Sequence, residues 1–317
     1  MTIPVVKQVL SESPSLQILF ISSASFAPLF TGIDRLQFIG ADLKGRHKGV
    51  VGLWRLMKDC KAMTSIHSVA DLHSVLRTWV LGIFFLVTGT QVVRIQKGRF
   101  QKWQLTRRWN KIKKPLISTF ERYQRVFQKL GYPVQLHNQN LVARSGSKNS
   151  FQIGVAPFAK HQGKMLPLST MRETVQLLQQ DVGCTVFLFG APGHEATVLK
   201  EWAREMPQVI NCAGIGSLKE ELQTLSKLDL LISMDSANMH LASLYTVPVI
   251  SIWGATHPYA GFLGWGQSLE QTIKSDLPCQ PCSVFGNKTC YRGDWACLDT
   301  IQPQQIIEMV RTYLCVK

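Results

Sequence analysis

Two short segments in the second half of the chain carry residues that could bind a phosphorylated ligand. Lys160 and Lys164 follow one predicted strand, and Glu195 follows another in a turn that starts at Gly190. A lysine just beyond a strand end offers a strong charge to a phosphate, whereas a glutamate there can accept hydrogen bonds from both hydroxyls of a ribose. The alternatives are a solvated surface loop for the lysines and a first-turn acid favoured by the helix dipole for Glu195.

A third segment, Asp229–Trp253, has the strongest pattern. Its apolar run at 230–232 and its last five residues each predict a buried strand. Asp235 and Ser236 lie between these strands, where their side-chain oxygens could cap a short helix. The segment therefore predicts a βαβ unit with parallel strands, whose helix N-terminus would gather unpaired N–H groups at the ligand-binding edge of a sheet.

The string that begins at Asp235 resembles the nucleotide-binding loop of glycosyltransferase family 9, the heptosyltransferases of lipopolysaccharide synthesis. In that family an Asp-(Ser/Thr)-(Gly/Ala)-x-x-His string holds the diphosphate and ribose of a sugar nucleotide. The resemblance implies this role for Asp235, Ser236, Ala237 and His240. The plain alternative is that Asp235 only caps a helix and His240 only packs.

The same resemblance assigns roles to the two earlier segments. The family places a lysine on the donor phosphates, which implies this role for Lys160 first and Lys164 second. It also places a ribose-binding glutamate in the turn that contains Gly190, which implies this role for Glu195.

Predicted strands and helices alternate along the chain. In the first half, strands are predicted at 16–21, 36–39, 64–70 and 91–95, and helices at 3–10, 50–60, 74–86 (buried), 100–113 and 120–130. After a linker-like stretch at 144–150, strands are predicted at 152–156, 185–189, 209–211, 230–232 and 249–253, and helices at 169–180, 195–205 and 218–227. This alternation predicts an α/β protein with two parallel-sheet domains, 1–147 and 148–317. The resemblance implies a GT-B-like fold, in which two Rossmann-like domains, acceptor-side and then donor-side, face a cleft.

The positive charge is concentrated in the first half of the chain. Residues 1–150 contain 23 basic and 6 acidic side chains, whereas residues 151–317 contain 12 and 14. No acid lies between Asp71 and Glu121. This asymmetry indicates an anionic partner, which could be nucleic acid, a membrane surface or a phosphorylated substrate. The resemblance implies an anionic lipopolysaccharide-core acceptor and no nucleic acid, with acceptor binding by Lys97, Arg99, Arg107 and Arg108.

Four cysteines near the end of the chain leave two interpretations open. Cys279, Cys282, Cys290 and Cys297 have the spacing C-x2-C-x7-C-x6-C. Four thiols in a polar loop would suit tetrahedral zinc, but the last two spacings are not those of a common zinc ribbon, and a reduced packing cluster is the alternative. A Cys-rich insert before the last helix also recurs in the family. We expect no metal or cofactor in the reaction, because protein donors replace it.

Two further patterns bear on location. The longest apolar window near the middle, Val80–Val87, is far shorter than the ~20 residues that cross a bilayer. The N-terminus also lacks the apolar core of a secretory signal. These patterns predict a cytoplasmic protein, and its acceptor would place it peripherally on the cytoplasmic face of the inner membrane.

The resemblance predicts an inverting transfer of a heptose or related sugar from a nucleotide-diphosphate sugar, such as ADP-heptose, to the lipopolysaccharide core. Lys160 and the helix start at Ser236 would stabilise the departing diphosphate. A non-catalytic polyanion-binding protein and a sugar-nucleotide epimerase of GT-B-like fold are the alternatives.

The catalytic base is not identified. The family's first domain opens with a strand and a Gly-Asp-(Val/Ile) turn, whose Asp is proposed to deprotonate the acceptor. Here residues 1–6 resemble the helix after that turn, so the strand and its Asp are expected to be missing. Three other acids are candidates for the base by position alone: Asp34, Asp42 and Asp71. Asp71 is the best placed of these, yet it could equally cap the next helix. We expect either that the true reading frame starts roughly twenty residues upstream or that this chain is a damaged copy with weak catalytic activity.

Overall fold

The computed structural model describes residues 1–137 and 150–314, and these form two compact units. Unit 1 comprises Met1–Lys97 and Thr119–His137, and unit 2 comprises Gly98–Ser118 and Asn138–Lys317. Residues 144–149 of the predicted linker, and with them the predicted domain boundary at 147/148, lie outside the described residues.

Unit 1 pairs its strands in two separate sheets. Its first elements are α1 (Thr2–Glu12), β1 (Ile18–Ser22), β2 (Leu36–Gly40), α2 (Gly49–Met63), β3 (Ser68–Asp71), α3 (Leu76–Val87) and β4 (Gln91–Arg94). Helix α4 (Arg99–Thr106) belongs to unit 2, and α5 (Thr119–Lys129) completes unit 1. β1 pairs with β2 and β3 with β4, both in parallel, whereas the alternation predicts one continuous sheet. Each of these four strands therefore has one edge without a partner strand among the described residues.

Helix α3 is present where the sequence predicts it, but the prediction that it is buried is wrong. Only Gly82 and Phe85 of this helix are buried, and Phe85 packs with Leu53 and Leu56 of α2. The opposite side is exposed, so that Trp79 is 49% accessible to solvent. An apolar helix is buried all round only when other elements cover every side, and the contacts of α3 come mainly from α2, β3 and β4. No helix among the described residues is long and apolar enough to cross a membrane.

Unit 2 is built on one six-stranded parallel sheet. Its elements after α4 are β5 (Gln152–Ala156), α6 (Leu168–Leu177), β6 (Thr185–Leu188), α7 (His194–Glu205), β7 (Val209–Asn211), α8 (Leu218–Leu225), β8 (Leu230–Met234), α9 (Ala237–Leu244), β9 (Val249–Trp253), β10 (Thr272–Lys274), α10 (Ala296–Asp299) and α11 (Pro303–Leu314). The strand order is β10-β9-β8-β5-β6-β7. The pairing of β8 with β9 confirms the predicted βαβ unit, whereas β10 was not predicted.

The order in which strands join this sheet reverses between β5 and β8. From β5 the chain adds β6 and β7 on one side, and then β8, β9 and β10 on the other. Every residue of β8 and β9 is buried, because helices cover both faces of the sheet, and this explains why both strands read as continuous apolar runs. In sheets of this kind a crevice forms beyond the strand ends at the reversal point, where ligands bind.

Residues Gly98–Ser118, which we call the basic aromatic segment, contain a shorter helix than the sequence predicts. The prediction of a helix over 100–113 is wrong beyond Thr106, where α4 ends. Arg107 is extended, and its Nε donates a hydrogen bond to the carbonyl oxygen of Asn110 at 2.7 Å. The left-handed backbone of Asn110 (φ 49°) closes this turn. The turn therefore replaces the last half of the predicted helix.

The contacts of the basic aromatic segment place it in unit 2, although the sequence analysis assigns it to the first domain. The ammonium of Lys111 donates to the carbonyl oxygens of Cys279 and Pro281, both at 2.6 Å. The backbone N–H of Leu116 donates to the carbonyl oxygen of Tyr259 at 2.9 Å. These partners are remote in sequence, so no local pattern could have indicated them.

We expect Lys111→Met to destabilise unit 2 by about 1–3 kcal/mol, because it leaves two half-buried carbonyl oxygens without their charged donor. The matched control is Lys114→Met, since the side chain of Lys114 is exposed and makes no hydrogen bond or ion pair with any described residue. Urea unfolding followed by tryptophan fluorescence measures both free energies. Equal stability of the two variants would show that the Lys111 contacts add nothing to unit 2.

Candidate functional site

Lys164 and Asp235 form a buried ion pair beyond the ends of β5 and β8. The Nζ of Lys164 lies 2.8 Å from Oδ2 of Asp235, and the two side chains are only 15% and 4% exposed. The hydroxyl of Thr256 donates to the same carboxylate oxygen at 2.9 Å. Asp235 follows β8 directly, and Lys164 ends a 3₁₀ turn (Gln162–Lys164) in the loop after β5. The pair therefore lies at the crevice that the reversal of strand order creates.

Two glycines let the chain pack closely around Lys164. A Cβ on Gly163 would lie 2.8 Å from the carbonyl oxygen of Gly286, which belongs to the cysteine-rich loop (residues 278–297). A Cβ on Gly286, whose φ is +72°, would lie 2.5 Å from Cγ of Lys164 itself. A side chain at Gly286 would therefore collide with this lysine, and one at Gly163 would collide with the backbone of the cysteine-rich loop. The cysteine-rich loop thus forms one wall of the site.

The N-terminus of α9 lies next to the ion pair and has no side-chain cap. Ser236 occupies the N-cap position, as predicted, but its hydroxyl lies 3.1 Å from the hydroxyl of Ser233 and makes no cap hydrogen bond. The first residue of the helix, Ala237, is exposed. The first-turn N–H groups of α9 are therefore available to an anion, which the helix dipole also favours.

His240 lies in the first turns of α9 with one ring nitrogen unused. Its Nδ1 is buried and has no hydrogen-bond partner among the described residues. Burial lowers the pKa of His240 to about 3, so the imidazole is neutral at neutral pH. A neutral imidazole can accept or donate one hydrogen bond at this nitrogen, depending on its tautomer. A buried nitrogen without a partner indicates a ligand contact more than a packing role.

The other predicted donor residues are not joined to the ion pair. Lys160 is exposed and makes no hydrogen bond or ion pair with any described residue. Glu195 accepts a hydrogen bond from the backbone N–H of Ala191 at 2.7 Å, which closes the turn before α7. A Cβ on Gly190 would lie 3.2 Å from the carboxylate of Glu195, so the turn is tightly closed. These contacts are those of the first-turn acid that was the alternative for Glu195.

The four cysteines of the cysteine-rich loop are free thiols. Over residues 1–137 and 150–314, no three His, Cys, Asp or Glu side chains are grouped to hold a metal ion. Burial raises the pKa of Cys297 to about 12, and it also raises the pKa of Cys282, so both remain protonated at neutral pH. Cys297 is buried in the core of unit 2, whereas Cys279, Cys282 and Cys290 are half-buried, and the choice between zinc and a packing cluster stays a prediction.

The carboxylate of Asp71 is used for local structure. One of its oxygens accepts hydrogen bonds from the backbone N–H groups of His73, at 3.1 Å, and Ser74, at 2.7 Å. The other accepts one from the hydroxyl of Thr78 at 3.0 Å and lies 3.8 Å from Nε of Arg94. These contacts hold the turn into α3 and are those of the capping alternative. Both oxygens of this buried carboxylate are thus engaged in local contacts.

The predicted acceptor-binding cations divide between the units. Lys97 ends the first part of unit 1, whereas Arg99, Arg107 and Arg108 belong to unit 2. Arg107 is half-buried in its turn, and Arg99 and Arg108 are exposed. The two exposed arginines are therefore the cations of this set that an acceptor can reach from solvent in unit 2.

Sequence reasoning missed the loop after β9. Thr256 orients the carboxylate of Asp235, and Nδ1 of the neighbouring His257 accepts a hydrogen bond from the backbone N–H of Tyr259 at 3.1 Å. Burial, followed by the nearby Lys274, lowers the pKa of His257 to about 4. Polar residues within four positions of the end of a fully buried strand were the signal, a weaker form of the one that identified Asp235.

The chain is similar in sequence to known glycosyltransferases. Residues 95–291 match the model of glycosyltransferase family 9 (heptosyltransferase). Lipooligosaccharide heptosyltransferase 2 from Campylobacter jejuni subsp. jejuni serotype O:2 is 27% identical over 194 residues, which are 59% of this chain and 58% of the relative. Its counterpart from serotype O:6 is 25% identical over 191 residues, 58% of each chain. The matched stretch spans less than two thirds of either relative.

Similarity to solved structures extends over nearly the whole chain. A glycosyltransferase of family 9 from Veillonella parvula superposes with a TM-score of 0.73 at 17% identity, covering 99% of this chain and 93% of that chain. The E. coli heptosyltransferase WaaC with ADP gives a TM-score of 0.69 at 16% identity, covering 98% of this chain and 95% of that chain. These values establish the fold, and the predicted α/β, GT-B-like class is confirmed.

The protonation of His257 should make unit 2 less stable below neutral pH. Because the folded pKa of about 4 lies below the ordinary value of 6.5, the unfolded chain binds more protons between these pH values, and stability falls as the pH decreases through them. His257→Asn keeps an acceptor for the N–H of Tyr259 but cannot titrate. We expect the loss of unfolding free energy between neutral pH and about pH 5 to be smaller in this variant.

The control for this pH dependence is His194→Asn, since His194 is exposed on α7 of the same unit. Urea unfolding at both pH values measures the differences. If the His257 variant loses as much stability as the unsubstituted protein, the buried imidazole does not titrate as described.

Proposed function

Because the chain belongs to glycosyltransferase family 9, we propose that it transfers a heptose, or a related sugar, from a nucleotide-diphosphate sugar such as ADP-heptose to the lipopolysaccharide core. The reaction inverts the anomeric carbon: an acceptor hydroxyl attacks in line, a base takes its proton, and the nucleoside diphosphate leaves. The protein's largest contribution would be stabilisation of the negative charge that develops on the departing diphosphate.

The observation that carries this proposal is the Lys164–Asp235 pair beside the uncapped start of α9. An ammonium has three N–H donors, and Asp235 accepts from one of them, so two remain for phosphate oxygens. The first-turn N–H groups of α9 would bind the same diphosphate. We therefore assign the main phosphate contact to Lys164, with Asp235 holding the lysine in place and Lys160 contributing charge at the rim.

The neighbouring groups suit the rest of a nucleotide sugar. The neutral imidazole of His240 has an unpartnered, buried Nδ1 that could bind a hydroxyl or phosphate oxygen. Glu195 uses one carboxylate oxygen to close its turn, and its other oxygen would accept from a ribose hydroxyl. All of these groups lie in unit 2, so we propose that unit 2 binds the donor. No base is assigned among the described carboxylates.

We further propose that the acceptor binds through exposed cations, chiefly Arg99 and Arg108, with Lys97 and Arg107 in supporting roles. An acceptor rich in phosphate and acidic sugars matches a chain whose first half has a large excess of basic residues. Such an acceptor is anchored in a membrane, so the enzyme would act at the cytoplasmic face of the inner membrane, and no nucleic acid takes part.

Membership of this family favours neither of the two alternative functions, polyanion binding and epimerisation. A polyanion-binding protein would bind any anionic polymer in a salt-sensitive manner without protection by nucleotide. An epimerase would convert the donor sugar with no acceptor present. Incubation of the purified chain with ADP-heptose, with and without a core oligosaccharide, separates these cases. Release of ADP that requires the oligosaccharide supports transfer, whereas altered donor in its absence contradicts it.

We expect Lys164→Gln to weaken binding of ADP about ten- to a hundredfold, the equivalent of about 1.5–3 kcal/mol for a lost charge-assisted hydrogen bond. Glutamine keeps a hydrogen-bond donor beside Asp235, so the variant should still fold. Lys160→Gln is the matched control, and we expect a change of less than about threefold, because an exposed charge contributes little. Isothermal titration calorimetry with ADP gives both values. A larger loss for Lys160 would reverse the two assignments.

We expect the double variant Arg99→Glu, Arg108→Glu to lower the affinity for a soluble core oligosaccharide at low ionic strength and to leave ADP affinity unchanged. Both side chains are exposed, so salt should screen the effect. Titration of the oligosaccharide at low and high salt tests this, with Lys200→Glu, Lys219→Glu as the charge-matched control. A fall in ADP affinity instead would mean that these arginines serve the donor.

A further inference from the structure

The basic aromatic segment exposes three large rings to solvent. Phe100, Trp103 and Trp109 are 68%, 52% and 73% accessible, whereas large aromatic side chains are normally covered for most of their surface. The aliphatic side chain of Ile112 in the same segment is also 39% exposed. Single exposed apolar residues need no explanation, but four within thirteen positions of one segment do.

The fold holds two of these rings in place. Phe100 and Trp103 lie one helical turn apart on α4 and stack with a centroid distance of 5.8 Å. The opposite side of the same helix is buried through Lys102, Leu105 and Thr106. The aromatic pair therefore projects from a helix anchored in unit 2 and cannot turn inward without unpacking that helix.

Cations accompany the exposed rings. The guanidinium of Arg107 lies 5.2 Å from the ring centre of Trp103, and that of Arg108 lies 5.2 Å from Trp109 and 4.8 Å from Tyr291. Lys113 and Lys114 are exposed further along the segment. No acidic residue lies between Asp71 and Glu121 to neutralise them.

We propose that the rings of Phe100, Trp103 and Trp109, with the cations beside them, form a docking surface for an anionic phospholipid bilayer. Aromatic rings prefer the headgroup level of a bilayer, where their apolar bodies reach the acyl boundary, and neighbouring cations attract anionic lipids. The surface therefore matches an anionic bilayer in both its positive charge and its exposed apolar area. The surface attaches unit 2, which holds the donor site, to the membrane that carries the acceptor.

Two other partners fit the surface less well. A second copy of the chain would bring two segments of the same positive charge together, which costs energy. A single-stranded nucleic acid would need ring faces for its bases, and Trp103 already stacks with Phe100 and has Arg107 over its ring. Insertion into a bilayer interface needs only exposed ring surface, and it also uses Ile112.

The test is cosedimentation of the full chain with vesicles of phosphatidylcholine alone and with vesicles that also contain phosphatidylglycerol. No donor, acceptor or turnover is involved, so this proposal can fail while the transferase proposal stands, and the reverse. We expect partitioning onto the anionic vesicles only. The triple variant Phe100→Ser, Trp103→Ser, Trp109→Ser should reduce this partitioning more than about tenfold. The double variant Lys113→Gln, Lys114→Gln should reduce partitioning onto the anionic vesicles about 25-fold at low salt, which is about fivefold per charge.

Matched controls lie elsewhere on the chain. The control for the rings is Trp54→Ser on α2, which removes a half-exposed ring with the ammonium of Lys58 3.7 Å from its centre. The control for the charges is the double variant Lys200→Gln, Lys219→Gln, which removes two exposed charges from α7 and α8. Neither should alter partitioning by more than about twofold. An unchanged far-ultraviolet circular dichroism spectrum and unchanged urea unfolding show that every variant remains folded.

Four results would overturn the proposal. One is equal partitioning of the aromatic variant and the unsubstituted protein, and another is an equal loss in the Trp54 control. The third is a dimer of the unsubstituted protein in sedimentation velocity that the aromatic variant abolishes without any effect of vesicles. Binding to single-stranded RNA that exceeds binding to anionic vesicles, and that depends on the same rings, also contradicts it.

Discussion

The buried pair of Lys164 and Asp235 constrains the structure around it. Two opposite charges removed from water stabilise a fold only when their geometry is good and their remaining donors and acceptors are satisfied. Here β8 delivers the carboxylate, the loop after β5 delivers the ammonium, and Thr256 from the loop after β9 fixes the carboxylate. Three adjacent strand ends therefore have to keep their register for one ion pair to form. The cysteine-rich loop is a fourth segment that holds the pair, because it packs on Lys164.

Much of this site could be predicted because its signals are local. The run of apolar residues before Asp235 predicts a strand end, and the family string adds the helix start and His240. From the sequence, Lys160 ranks ahead of Lys164 for the phosphate contact, whereas we propose the reverse order because Lys164 is the one paired with Asp235. That pairing depends on a 3₁₀ turn whose direction is set by contact with Gly286, far along the chain. Thr256 was missed for a related reason, since a strand end reveals a ligand loop but not which of its side chains turns inward.

The first half of the chain shows the same division between local and remote information. The positions of α1, α2 and α5 follow from their periodicity, and the structure has them close to the predicted bounds. Whether α3 is buried depends on what covers it, and its apolar sequence is equally compatible with a covered or an uncovered side. The extent of α4 and its place in unit 2 depend on carbonyl groups of Cys279, Pro281 and Tyr259. Periodicity contains no information about such partners.

The assignment of the basic aromatic segment to unit 2 has a consequence for the nascent chain. The segment leaves the ribosome well before the residues whose carbonyl oxygens Lys111 and Leu116 bind. Domains usually fold as units in the order of synthesis. Here residues 98–118 must wait, with their rings and cations exposed, until most of the second half has been translated. This long-range contact therefore closes only after residues 259–281 have been translated, and nascent-chain aggregation or early contact with a membrane can act on the segment in the interval before it.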